Sequence, residues 1–208
     1  MSINYYYHQR EQQERLRQQR SRQLKKEIQQ TVDALTALRT VETPAEILSL
    51  LSDHSAQLIG QLAKLNPASG VIDQLRSQNN APATQQPPAV GLHSVKLVQS
   101  AIRVALTIMR RQQQHGRLTP LQLAEHSKEL AWLHSASEAN IYINEGRRLL
   151  ENDKRALAIS HFKHAKTLIS KVSSKEQRRQ PKLVEINQLL DDANPFKPPP
   201  PIATEDGS

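Results

Sequence analysis

The chain has 208 residues, of which 37% are hydrophobic and 3% aromatic, and it contains no cysteine. The lack of cysteine excludes disulfides, thiol nucleophiles and cysteine-ligated zinc or iron–sulfur centres. The 28 basic and 20 acidic side chains give a formal net charge of +8, which permits contact with nucleic acid or another anionic surface. Because strands draw on aromatic and β-branched residues, a core of Leu, Ile, Val and Ala predicts an all-α fold.

The first predicted helix covers residues 8–40, which contain neither Gly nor Pro. Its apolar residues lie at helical spacing and form one stripe of Leu16, Leu24, Ile28, Val32, Leu35 and Leu38. The Gln- and Arg-rich part before Leu24 has little apolar surface, so we predict an arm that projects or pairs with another helix. Leu24, Ile28, Val32 and Leu35 approximate a short coiled-coil seam, and we predict that they bind a protein partner or a second copy of the chain.

Thr43-Pro44 predicts the start of a second helix, which ends at Asn66-Pro67. Thr43 is the predicted N-cap, and Glu46 completes a capping box. A short connection joins this helix to the first, which predicts an antiparallel helical hairpin over residues 1–76.

Residues 77–91 contain no charged side chain and three prolines. Such a segment has nothing to bury, so we predict a flexible linker and a domain boundary there.

The C-terminal domain is predicted over residues 92–193, as a helical bundle. Its predicted helices cover about 94–114, capped by Ser94 and central to the domain, about 120–152 after Thr119-Pro120, about 154–172, and a last helix that Pro181 interrupts. Asn194-Pro195 ends this helix, and the four prolines that follow predict a disordered tail over residues 194–208.

The segment from Ala139 to Ser170 resembles one tetratricopeptide repeat, on Tyr142, Gly146, Ala158, Phe162 and Ala165 at the family's spacings. It departs from the family pattern at Glu145 and at Ser170. The resemblance implies a helical hairpin, in which Gly146 and Ala158 allow close approach and Phe162 fills the space between the helices. It also implies a groove that binds a protein partner near Tyr142 and Arg147.

No motif predicts catalysis or a cofactor. The six glycines are too far apart to form a phosphate-binding loop. His161 and His164 lie one helical turn apart, but no carboxylate has ligand spacing to them, so we predict no metal site. We therefore predict neither an enzyme nor a small-molecule substrate.

The start of the chain lacks the apolar core of a signal peptide, and polar residues interrupt the longest apolar stretch, 92–109. These features predict a cytoplasmic protein without a transmembrane segment.

Two functions remain open. The first is a non-enzymatic module for protein interaction or scaffolding, which acts through the apolar stripe and the groove near Tyr142. The alternative is a nucleic-acid-binding accessory protein. Its candidate contacts are Arg10, Arg15, Arg17, Arg20, Arg22, Lys25 and Lys26, which face only Glu11 and Glu14 within residues 9–26.

Overall fold

The computed structural model describes residues 2–67, 70–80, 92–172 and 176–194. Over these ranges it contains helices and no strand, which confirms the predicted all-α fold. The helices are α1 (Ser2–Arg39), α2 (Ala45–Leu65), α3 (Val71–Asn79), α4 (Leu92–Gln114), α5 (Pro120–Glu151), α6 (Arg155–Lys171) and α7 (Glu176–Ala193). Most of the predicted linker, from residue 81, and the tail from residue 195 lie outside the described residues.

The chain divides into two compact units, Met1–His134 and Ser135–Ser208, and the division falls within α5. It differs from the predicted boundary at residues 77–91. The reason is that α4 packs against α1 and belongs to unit 1. The face of α1 between Leu24 and Leu38 is wide enough to contact both α2 and α4.

The core of unit 1 forms where α1, α2 and α3 meet. Its central cluster is Leu24, Ile28, Val32, Leu58, Ile59, Leu62, Ile72 and Leu75, all buried. On α4, Ala105 and Met109 are fully buried. The predicted apolar stripe of α1 is buried from Leu24 to Leu38, whereas its first member, Leu16, is 64% exposed.

The sequence analysis missed α3, which has only nine residues. Its Ile72 and Leu75 are buried. At its end the buried Asn79 donates to the carbonyl (3.3 Å) and hydroxyl (3.1 Å) of Ser52, and its own carbonyl accepts from Arg39 at 2.8 Å. A helix this short depends on such tertiary contacts rather than on its own propensity.

Of the three N-caps suggested by the sequence, Thr43, Ser94 and Thr119, the first two differ from the structure. The Thr43 hydroxyl donates to the Leu38 carbonyl at 2.7 Å, and α2 has Pro44 as its N-cap without a side-chain cap. Ser94 lies inside α4, which begins at Leu92. At α5 the predicted cap is confirmed: the Gln122 amide N–H donates to the Thr119 hydroxyl at 3.2 Å, and the Thr119 N–H donates to the Gln122 side chain at 2.9 Å.

In unit 2, α6 packs against α7, and the C-terminal part of α5 contacts α6 at Gly146. A Cβ atom added at Gly146 would overlap the ring of Phe162, lying 2.8 Å from Cδ1 and 2.9 Å from Cζ. Phe162 is fully buried, as are Ala158 and Ala165. Asp153 adopts a positive φ of 56° in the turn between α5 and α6, and α7 continues through Pro181 instead of breaking there.

The close approach at Gly146 can be tested with Gly146→Ala. Alanine favours a helix over glycine by about 0.5–1 kcal/mol, but overpacking against a buried ring costs about 1–3 kcal/mol. We expect a net loss of stability, measured by denaturant unfolding of the full chain followed by circular dichroism.

Gly60→Ala is the matched control, because Gly60 is also inside a helix and a Cβ there meets nothing within 4 Å. This variant should gain about 0.5–1 kcal/mol. Equal stabilisation by both substitutions would contradict the close contact.

Candidate functional site

Residues 8–22 of α1 form an exposed segment. We call residues 8–22 the arm; each of its side chains is exposed except the half-buried Ser21. Arg15 bonds to Glu11 at 2.7 Å, and Arg10 lies 3.6 Å from Glu14. Exposed pairs of this kind contribute only about 0.3–0.5 kcal/mol, so a stronger anionic ligand can displace the carboxylates.

One face of α1 carries basic side chains from the arm into the packed part of the helix. Arg15, Arg22 and Lys26 are spaced seven and four residues apart and therefore share a face. All three are exposed. Within the described part of the chain, Arg22 and Lys26 have no carboxylate partner.

A second basic stripe lies on α4, and the sequence analysis missed it. Lys96, Arg103 and Arg110 repeat every seven residues and are exposed, and α4 contains no acidic residue. Between Asp73 and Glu125 the sequence has six Lys or Arg and no Asp or Glu. Each half of the chain has a net charge of +4 (12 − 8 and 16 − 12). A comparison of the two halves therefore does not show the stretch that lacks acidic residues.

The basic face of α1 (Arg15, Arg22 and Lys26) and the basic stripe of α4 (Lys96, Arg103 and Arg110) both border a groove between these helices, within unit 1. They do so through Lys26 and Arg103. The groove has a volume of about 460 Å³. Nine of the eleven residues that line it have polar or charged side chains, namely Gln23, Lys26, Glu27, Gln30, Thr31, Ser100, Arg103, Thr107 and Arg111, and the other two are Val104 and Ile108. Arg111 on α4 donates to Glu27 on α1 at 2.6 Å, so three cations and one carboxylate leave the groove with a formal charge of +2.

The predicted partner-binding stripe of α1 lies in the core. Leu24, Ile28 and Leu35 are fully buried, and Val32 is 2% exposed. Their apolar surface is covered by other helices of unit 1, so it is not free for a protein partner. Periodicity identifies an apolar face, but the helix that covers this face belongs to the same chain.

The other two predicted partner-binding residues lie in unit 2. Tyr142 is half-buried, and its ring centroid lies 4.1 Å from that of His164 and 5.8 Å from that of His161. Arg147 is exposed and bonds to Glu185 of α7 at 2.9 Å. The next residue of α5, Arg148, donates to Glu145 three residues earlier, and this hydrogen bond lowers the pKa of the Glu145 carboxyl.

In the described part of the chain, no three His, Asp or Glu side chains are placed to hold a metal ion together. None of the described helices combines the length and apolar character needed to span a membrane.

His54 of α2 lies in a partly buried contact with Gln112 of α4. The side-chain nitrogen of Gln112 lies 3.1 Å from Nδ1 of His54. Nε2 is buried and has no hydrogen-bond partner among the described residues. Burial lowers the pKa of His54, Glu27 raises it, and Arg111 and Arg117 lower it further.

Comparison of the chain with protein-family models, curated proteins and solved structures finds no match in any of the three.

The lowered pKa of His54 predicts a stability that falls in acid. Between the folded pKa and the ordinary value of about 6.5, the unfolded chain binds more protons than the folded chain. The free energy of unfolding should therefore decrease as the pH falls below about 6.5. His54→Gln removes this titration and keeps an acceptor for Gln112.

Denaturant unfolding of both proteins from about pH 8 to about pH 5 tests this. The stability of the native protein relative to His54→Gln should decline toward acid and level off above about pH 7. A constant difference across the range would contradict the lowered pKa.

Proposed function

We propose that this protein is a non-enzymatic nucleic-acid-binding protein that contacts the phosphate backbone through the arm of α1. The observation that carries the proposal is the exposure of the arm, whose arginines project from a helical segment that has one apolar side chain, Leu16. Phosphate contacts by Lys and Arg supply most of the affinity of sequence-independent binding. A cytoplasmic location, as predicted from the sequence, is part of the proposal.

The character of the exposed side chains favours nucleic acid over a protein partner for this region. Leu16, 64% exposed, is the single hydrophobic residue among residues 8–22. Protein interfaces are depleted of charge at their centre and need buried apolar anchors. A helix that binds a membrane surface also needs an apolar face. The arm lacks such a face, whereas a polyanion needs only the cations.

The test measures binding of the full chain to a fluorescent DNA duplex of about 20 base pairs, roughly two helical turns. Anisotropy is followed from about 50 to about 200 mM salt. We compare the native chain with Arg15→Gln/Arg22→Gln, which removes two charges from one face of the arm and keeps residues of good helix propensity. Each lost contact reduces the slope of log K against log salt by about 0.9, so the slope should fall by about 2.

Lys163→Gln/Lys166→Gln is the control, because it removes two exposed charges from α6 in unit 2. Its salt slope should equal that of the native chain. A truncation that extends to Leu24 or Ile28 is a poor substitute for these variants, since it also removes core residues. No binding by the native chain at low salt, or equal effects of the two double substitutions, would overturn the proposal.

Protein binding or self-association by unit 2 is a second candidate function. It rests on Tyr142, which is half-buried and so keeps ring surface accessible, and on the exposed Leu157 and Val184 of the adjacent helices α6 and α7. Light scattering of the full chain tests self-association. A mass above 23.5 kDa that returns to the monomer value in Tyr142→Ala/Leu157→Ala supports it. A monomer mass at every concentration rules out self-association.

A further inference from the structure

The groove between α1 and α4 presents two cations that no carboxylate engages. Lys26 lies on the α1 side and Arg103 on the α4 side, and both are exposed. Neither has an ion-pair partner among the described residues. The third cation, Arg111, is bound to Glu27 at 2.6 Å.

Two of the three hydroxyl groups that line the groove, those of Thr31 and Thr107 but not Ser100, bond to the helix backbone. The Thr31 hydroxyl donates to the Glu27 carbonyl at 2.8 Å, and the Thr107 hydroxyl donates to the Arg103 carbonyl at 2.9 Å. Their protons are therefore committed to the helix backbones. An anion in the groove meets Lys26 and Arg103 as its charged donors.

We infer that this groove holds phosphates of double-stranded nucleic acid, with Lys26 and Arg103 contacting one strand from two sides. This inference rests on the proposed function and assigns a second contact region to it. The exposed residues of the two basic stripes, Arg22 on α1 and Arg110 on α4, provide further phosphate contacts beyond the groove.

The lining of the groove favours a duplex over a single strand. Sites for single strands combine basic residues with aromatic rings on which bases stack. None of the residues that line the groove is aromatic. Recognition here uses the phosphates alone, so the affinity is independent of base sequence.

Glu27 limits the affinity of the groove. Its carboxylate repels a phosphate and holds Arg111. Glu27→Gln removes the repulsion and frees Arg111 to contact the ligand. Tighter binding by this variant is a result that general damage to the fold does not produce.

The experiment uses the same DNA duplex, a single strand of equal length, and the full chain. Lys26→Gln/Arg103→Gln should weaken duplex binding by about tenfold and reduce the salt slope by about 2. Glu27→Gln should strengthen binding about threefold or more. Lys163→Gln/Lys166→Gln is again the matched control, and circular dichroism checks the helix content of every variant.

The results that would contradict the proposed function differ from those that would contradict the groove inference. If the native chain binds no DNA, the proposed function fails. If it binds and Arg15→Gln/Arg22→Gln weakens binding while Lys26→Gln/Arg103→Gln matches the control, only the groove inference fails. Tighter binding of the single strand overturns the assignment of a duplex. Equal competition by polyglutamate at the same charge concentration overturns nucleic acid as the ligand and indicates an acidic protein.

Discussion

Burial of one face of α1 begins at Leu24, and both the core and the basic surface of unit 1 depend on this transition. From Leu24 to Leu38 the buried side chains contact the helices around them. From His8 to Gln23 the same helix has exposed, mainly polar side chains, apart from the half-buried Ser21. One continuous helix therefore supplies the centre of a hydrophobic core and a charged surface, with Lys26 and Glu27 at the junction.

The contact between α1 and α4 has two parts that act in different ways. Apolar burial, with Ala105 and Met109 inside, holds the helices together. At the edge of this contact, cations from both helices border one groove and are only partly neutralised by the bond from Arg111 to Glu27. Repulsion among the cations that border the groove reduces the free energy of unfolding, and an anion bound there would relieve it.

Much of the fold follows from local signals in the sequence. Thr119-Pro120 and Asn66-Pro67 mark real helix ends, and the spacing of Gly146 and Phe162 predicted their contact. Local signals do not identify which segments, distant in sequence, pack against each other. The apolar stripe at Leu24 does not reveal whether it is covered by another chain or by α2 and α3 of the same chain. Helix α3 is too short to give a clear period.

The candidate site was only partly predictable for a related reason. The cluster of arginines before Leu24 is visible because its members are close in sequence. Lys96, Arg103 and Arg110 are separated by two turns each, among apolar residues, so their alignment is visible only once α4 is known to be a helix with that face exposed. Their proximity to Lys26 depends on tertiary packing, which links segments about 80 residues apart (Arg103 − Lys26 = 77).

The continuity of α1 also determines how the arm holds its helical form. The first turn of a helix is costly to form, whereas each later residue adds a hydrogen bond at little cost. Because the core fixes the turns after Leu24, the arm extends an existing helix and needs no nucleus of its own. Its amide hydrogens should therefore exchange with solvent in a gradient, fastest near His8 and slowest near Leu24, while the core amides stay protected. The arm can shorten or lengthen turn by turn without any change in the core.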